Sequence, residues 1–128
     1  MNRHFNPDGN AKPGGAYSHG VETPTSSRTL YAAGQVGRAP DGSVPDGIRA
    51  QTELAWANLI NVLEGAGMGM EDLVKTTAMV VDPDDLEGFR EVNDRVLGEH
   101  LPTSTLMVLA RLARPELLVE IEGIAVKD

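Results

Sequence analysis

A chain of 128 residues has the length of one ordinary domain, and 41% hydrophobic against 23% charged residues supplies enough apolar material for a packed core. Eleven Lys and Arg against nineteen Asp and Glu leave a formal charge of -8, which repels phosphate backbones and anionic lipid, and 4% aromatics leaves few platforms on which bases stack, so neither nucleic acid nor a membrane is an expected partner. Without cysteine there is no disulfide, thiol nucleophile or thiolate metal site; no run approaches the ~20 apolar residues of a membrane span, and the opening MNRHFNPD lacks the apolar stretch of a signal peptide, so a cytoplasmic location is expected.

In chain order, residues 1–15 end in the turn-rich NPDGNAKPGG and read as a loose N-terminal arm ahead of a single domain in a chain of residues 1–128. Residues 16–21, AYSHGV, begin a first strand, Pro24 to Ser27 mark a turn, and Thr29 to Ala33 form a second strand ending at Gly34, so that the two pair as a hairpin. From Gly47 to Glu64 the apolar residues Ile48, Ala55, Leu59, Val62 and Leu63 recur at helical spacing, with Gly65 and Gly67 as stop signals. Leu73 to Val81, LVKTTAMVV, is a strand apolar on most of both faces. Asp82-Pro83 offers an N-cap with proline at the first helical position, and Leu86, Phe89, Val92 and Val96 space out a second amphipathic helix. Pro102 closes the next connection, and residues 103–109 and 117–126 are the last two strands, joined by a turn at 113–116.

The order ββαβαββ implies two crossover connections and one mixed sheet with both helices on one face, an α+β domain. The uncovered face then carries the outward apolar residues of the strands at 73–81 and 117–126, and burial against copies of itself predicts a homo-oligomer with a partly closed barrel of sheets at its centre.

The last strand carries a chemical anomaly. In LVEIEGIAV (residues 118–126) two glutamates interrupt an apolar run, and a carboxylate on an apolar surface is costly unless paired or used. Positions two apart project from the same face about 7 Å apart, so Glu120 and Glu122 share a side with Leu118, Ile124 and Val126. The plainer account of either is an ion pair across a subunit interface, for instance with Arg111 or Arg114; the functional one is proton transfer.

Several blocks carry a resemblance: YSHGV from Tyr17, AGQ from Ala33, LEGAG from Leu63, DLVKTT from Asp72, FREVN from Phe89, PTST from Pro102 and VEIEGIA from Val119. From about Ala16 to the end, the chain resembles the Rid superfamily, the reactive intermediate deaminases also called the YjgF family. The resemblance implies a chorismate-mutase-like fold assembled as a homotrimer, with a small-molecule ligand in clefts at subunit interfaces. It also implies hydrolysis of reactive enamines and imines, such as 2-aminoacrylate, to a carbonyl compound and ammonia, without a cofactor. Glu120 matches the family's active-site glutamate, which orients the attacking water and exchanges protons with the leaving ammonia. Tyr17 matches a tyrosine that packs over the ligand, and Gly34 and Asn93 match positions near it. The backbone near Ala33 to Gln35, or at Thr105, is suited to polarising the substrate.

One block departs from the pattern. Deaminating members begin the strand after the proline with Pro-x-Arg, whose guanidinium forks onto a substrate carboxylate; here Pro102-Thr103 is followed by Ser104, which supplies a hydroxyl and no charge. His19, two residues from Tyr17, can face the same side and replace part of that charge when protonated, the plainer account being a surface histidine. His100 beside Glu99 has no second imidazole at ligand spacing, so no metal is expected, and Ser26, Ser27 and Ser104 lack the context of a serine nucleophile. Two functions follow: a Rid-type hydrolase of a small imine or enamine with Glu120 positioning water, or a non-catalytic trimer that binds a small metabolite, the reading Ser104 favours. The ribonuclease activity attached to the family by name sits badly with the charge of -8.

Overall fold

A computed structural model describes residues 1–8, 13, 16–25 and 27–128. The strongest helical pattern forms α1 (Ile48–Gly65), with Ala55, Trp56, Leu59 and Leu63 buried along its inner stripe. Its end is set by glycine. Met68 N–H donates to Leu63 O and Gly67 N–H to Glu64 O, both at 2.9 Å, and this closure requires Gly67 to take a φ of 69°, which a Cβ would disfavour. Asp82 caps as its sequence suggests: its side chain accepts from Asp84 N–H at 2.9 Å, and Pro83 opens a single 3-10 turn that leads into α2 (Leu86–Leu97).

The strands are β1 (Arg3–Phe5), β2 (Gly20–Glu22), β3 (Arg28–Val36), β4 (Leu73–Val80), β5 (Thr103–Val108) and β6 (Val119–Lys127). Four form one mixed sheet in the order β3-β6-β4-β5, with β4 and β5 parallel and β6 antiparallel to both its neighbours. Two helices over a mixed four-stranded sheet make an α+β domain, and the two crossovers lay both helices on one face. There Phe89 of α2 joins the α1 stripe over Ala78 and Val80 of β4 and Val119, Ile121 and Ala125 of β6.

The N-terminal third departs from the expected layout. β2 pairs with β1, not with β3, in the register Arg3↔Glu22, His4↔Val21, Phe5↔Gly20, and Arg3 Nε reaches Glu22 Oε2 at 2.7 Å. Pro24 in the β2–β3 connection has no N–H to extend a hairpin ladder. The start of the arm is therefore tied rather than loose: Asn2 Nδ2 donates to Val126 O at 3.2 Å, and His4 Nδ1 lies 2.9 Å from Leu101 O. A three-residue strand is too short to show an alternation in sequence. Positions 9–12 and 14–15 of that arm, and Ser26, lie outside the described residues.

Two finer differences bear on the site. β3 does not end at Gly34 but runs through it to Val36, with a bulge between Ala32 and Gln35. The open face of the sheet is also less apolar than the runs suggest. A register shift between Leu73 and Lys75 lets Leu73 and Val74 both be buried, so β4 presents Lys75 and Thr77 outward beside Met79.

Candidate active site

Two amide side chains on α1 fix the backbone that carries the candidate site. Gln51, buried, donates through Nε2 to Pro45 O and Glu116 O, each at 3.0 Å, and accepts from Leu118 N–H at 2.8 Å. Asn58 Nδ2 donates to Val36 O at 2.9 Å and Arg38 O at 3.0 Å. One helix thereby holds the end of β3 and the start of β6, where Val36 is paired with Glu120.

Along β6 the buried residues Val119, Ile121, Gly123 and Ala125 face the helices, so Glu120 and Glu122 between them face the open side. Glu120 is half-buried because it lies across Gly34: a Cβ built on that glycine would come within 2.7 Å of Glu120 Cδ and 2.9 Å of Oε1. Only the absence of a side chain at Gly34 leaves room for this carboxylate. Glu120 has no salt-bridge partner among the described residues. Within the protomer Arg111 donates to Leu112 O and Ala113 O and Arg114 lies 4.0 Å from Glu116, so neither pairs with Glu120 of its own chain. Glu122 is exposed and lines a shallow hollow of about 170 Å³ with Tyr31, Lys75, Thr77 and Ile124.

The other candidates collect elsewhere. Tyr17, Asn93 and Ser104 line one cavity of about 510 Å³ with Phe89, Arg90 and Leu106. Ser104 pairs with Thr76, whose side chain is buried beneath the helices, and α2 supplies the facing wall, so this cavity opens on the helix side at the β5 edge. His19 packs against Tyr17 with ring centroids 5.8 Å apart, and its Nδ1 is buried without a hydrogen-bond partner. Thr105, paired with Thr77, is exposed on the open face.

One protomer therefore splits the predicted residues into two groups: Tyr17, Asn93 and Ser104 in the helix-side cavity, and Gly34 with Glu120 on the opposite face, two strands away in the order β6-β4-β5. Three residues that serve these groups escaped the sequence reading. Gln51 and Asn58 looked like ordinary helix positions, although a glutamine amid an apolar stripe is a signal of a buried hydrogen-bonding role. Arg90 lies three residues before Asn93, a spacing that puts both on one face of α2.

The family model described as Endoribonuclease L-PSP matches residues 9–127. The chain is 33% identical over 119 residues to the RutC family protein PH0854 of Pyrococcus horikoshii, covering 91% of each chain. It is 35% identical over 115 residues to the 2-iminobutanoate/2-iminopropanoate deaminase of Mus musculus, covering 88% of this chain and 82% of that one. Among solved structures it superposes on the Rid-family protein YyfB of Yersinia pestis with a TM-score of 0.86 at 34% identity over 98% of both chains. On Escherichia coli TdcF with bound serine the TM-score is 0.75 at 29% identity, over 89% of this chain and 90% of that one.

Proposed function

Because the chain belongs to the endoribonuclease L-PSP family, within the Rid (YjgF) superfamily, we propose that it hydrolyses a small imine or enamine to a carbonyl compound and ammonia, in a site that two copies of a homotrimer build together. The observation that carries this reading is Glu120: a carboxylate without an ion-pair partner among the described residues, set into the space that Gly34 leaves. Such a half-buried group, on a face that mixes charge with apolar surface, has no ion-pair return among the described residues of the protomer. The mouse relative's name as an imine deaminase supports the reaction class, and the serine in TdcF supports a ligand of amino-acid size.

The chemistry asks little of the protein beyond placement and one base. An enamine first becomes the imine by gaining a proton at its terminal carbon and losing one from nitrogen. Glu120 takes a proton from water as the water oxygen bonds to the imine carbon and passes it to the nitrogen, giving a carbinolamine. Glu120 then carries the carbinolamine hydroxyl proton to the nitrogen as the C–N bond breaks, ammonia leaves, and the water oxygen remains as the carbonyl oxygen. The bulge at Ala33 and Gly34 takes two residues out of the β3–β6 ladder beside Glu120, and backbone N–H groups freed there are suited to stabilising the tetrahedral centre. Tyr17, Asn93 and Ser104 of a neighbouring copy then close the ligand in from the other side.

Ammonia release from 2-aminoacrylate generated in place tests this. Wild type turns it over, and Glu120→Ala loses about a hundredfold or more, the usual contribution of a positioned acid-base group. Equal rates in the two proteins would refute the reading. The second reading, a binding trimer without turnover, is favoured by Ser104 and requires that wild type hold the ligand and release no ammonia.

A further inference from the structure

The sequence pattern suggests that, with Ser104 where an arginine is usual, the site lacks a cation. The cavity contradicts this, because Arg90 of α2 lines it together with Tyr17, Asn93 and Ser104. We infer that Arg90 is this protein's anion anchor, gripping the carboxylate of a small 2-imino or 2-oxo acid from the helix side of the cavity while Ser104 contributes only a neutral hydrogen bond. This rests on the reading of the Tyr17–Ser104 cavity as the ligand site.

Neighbouring arginines show why Arg90 is the available one. Arg95, also on α2, is committed to Glu53 of α1 at 2.6 Å, and Arg49 of α1 to Glu91 at 2.6 Å. Arg90 makes no ion pair among the described residues, although it follows Phe89 in the cavity wall and precedes the paired Glu91. Being three residues from Asn93, it presents its guanidinium on the same helical face as the Asn93 amide. Guanidinium, amide, hydroxyl and phenol then supply enough N–H and O–H donors to surround a carboxylate, with the planar fork giving the charged, two-pronged contact. Asp94 is the one carboxylate in the same wall and sets the opposing charge against which an anion must compete.

Charge complementarity names the ligand class. A 2-imino acid carries a carboxylate at one end and, once protonated, an iminium at the adjacent carbon. Arg90 faces the first, and Glu120 of the neighbouring copy faces the second. Phe89 and Leu106 make the remaining wall apolar, which favours a hydrocarbon side chain on that acid, and about 510 Å³ leaves room for one.

The test is calorimetric titration of the intact protein with 2-oxobutanoate and with its uncharged amide. Wild type is expected to bind the acid at least about tenfold more tightly than the amide, the size of one charged bidentate contact. Arg90→Gln is expected to shrink that preference to about twofold or less, with Arg90→Lys keeping part of it, because a point charge replaces a fork. Arg28→Gln, at an arginine that donates to Ala66 O and lines neither half of the site, is expected to leave it intact. Survival of the preference in Arg90→Gln, its loss in Arg28→Gln alone, or wild type that binds neither ligand or shows no preference would each overturn the inference. Ammonia release by Glu120→Ala separates the two claims. Lost preference in Arg90→Gln with unaltered turnover in Glu120→Ala leaves the anchor standing and the hydrolase reading refuted; the reverse pattern does the opposite.

Discussion

On the helix-covered face of the sheet, Val119, Ile121 and Ala125 of β6 are sealed beneath Leu59 and Leu63, whereas the open face leaves Tyr31 76% exposed and sets Lys75, Thr77, Thr105 and Glu122 among Met79, Met107 and Ile124. Beneath α1 the covered face obeys packing, and apolar substitutions there answer to volume. The open face mixes charge with apolar surface, and the one carboxylate on it that is half-buried is held by a missing side chain at Gly34. Stability is concentrated beneath α1 and the proposed chemistry on the open face and at the β5 edge of the covered one, and substitutions should sort accordingly.

The largest effect is expected on the covered face. Leu63→Ala removes a fully buried side chain from the α1 stripe and should cost about 2 to 5 kcal/mol in chemical denaturation. A comparable loss from Ile124→Ala on the open face, measured in the dissociated protein, would break the division. Next comes Gly34→Ala. A Cβ within 2.7 Å of Glu120 Cδ forces the carboxylate aside, and because the three nearest atoms all belong to that flexible side chain, the cost should fall on turnover, about a hundredfold, with little change in melting temperature. Loss of both together would mean that Gly34 serves packing. Third, Ile124→Lys at the centre of the open face should leave circular dichroism unchanged and weaken subunit association by about tenfold or more, read as a monomer by light scattering at micromolar concentration. A trimer of unchanged stability would show that the open face is not where copies meet. Smallest is Glu122→Gln, an exposed carboxylate beside the proposed base: stability should move by less than about 0.5 kcal/mol and turnover by less than about twofold. A loss matching that of Glu120→Ala would erase the distinction between the two glutamates.

What the sequence reveals depends on how long each pattern runs. Both helices and β4 to β6 are legible because their apolar periods persist over many residues, and the α1 terminus because Gly67 carries its own conformational signature. β1 is not, since three residues cannot display a period, and the β2–β3 hairpin fails because turn-like composition does not say which strand a short neighbour will choose. The site divides in the same way. Glu120 stands out as an ionisable group in an apolar run, yet nothing in the string AGQ says that a side chain nearly ninety residues later lies across its glycine. Ser104 announces a missing cation, but Arg90, the anchor inferred in its place, reads in FREVN as a solvent-face position between the apolar Phe89 and Val92. Which residues share a cavity is a property of topology, and only the parallel β4–β5 pairing under α2 brings Arg90 to Ser104.

The central claim is that the site is completed by a second copy, since Glu120 and Gly34 lie on one face of the protomer and the Tyr17–Asn93–Ser104 cavity on the other. Subunit mixing tests it directly. Glu120→Ala and the double variant Arg90→Gln/Asn93→Ala, each inactive alone, are dissociated, combined one to one and reassembled, and ammonia release is measured. If each site draws its halves from neighbouring copies, about one neighbouring pair in four joins two intact halves, and about a quarter of wild-type turnover should return. A mixture no more active than the mean of its two parents would show that no site is shared, and the account of this protein as a hydrolase working between subunits would be wrong.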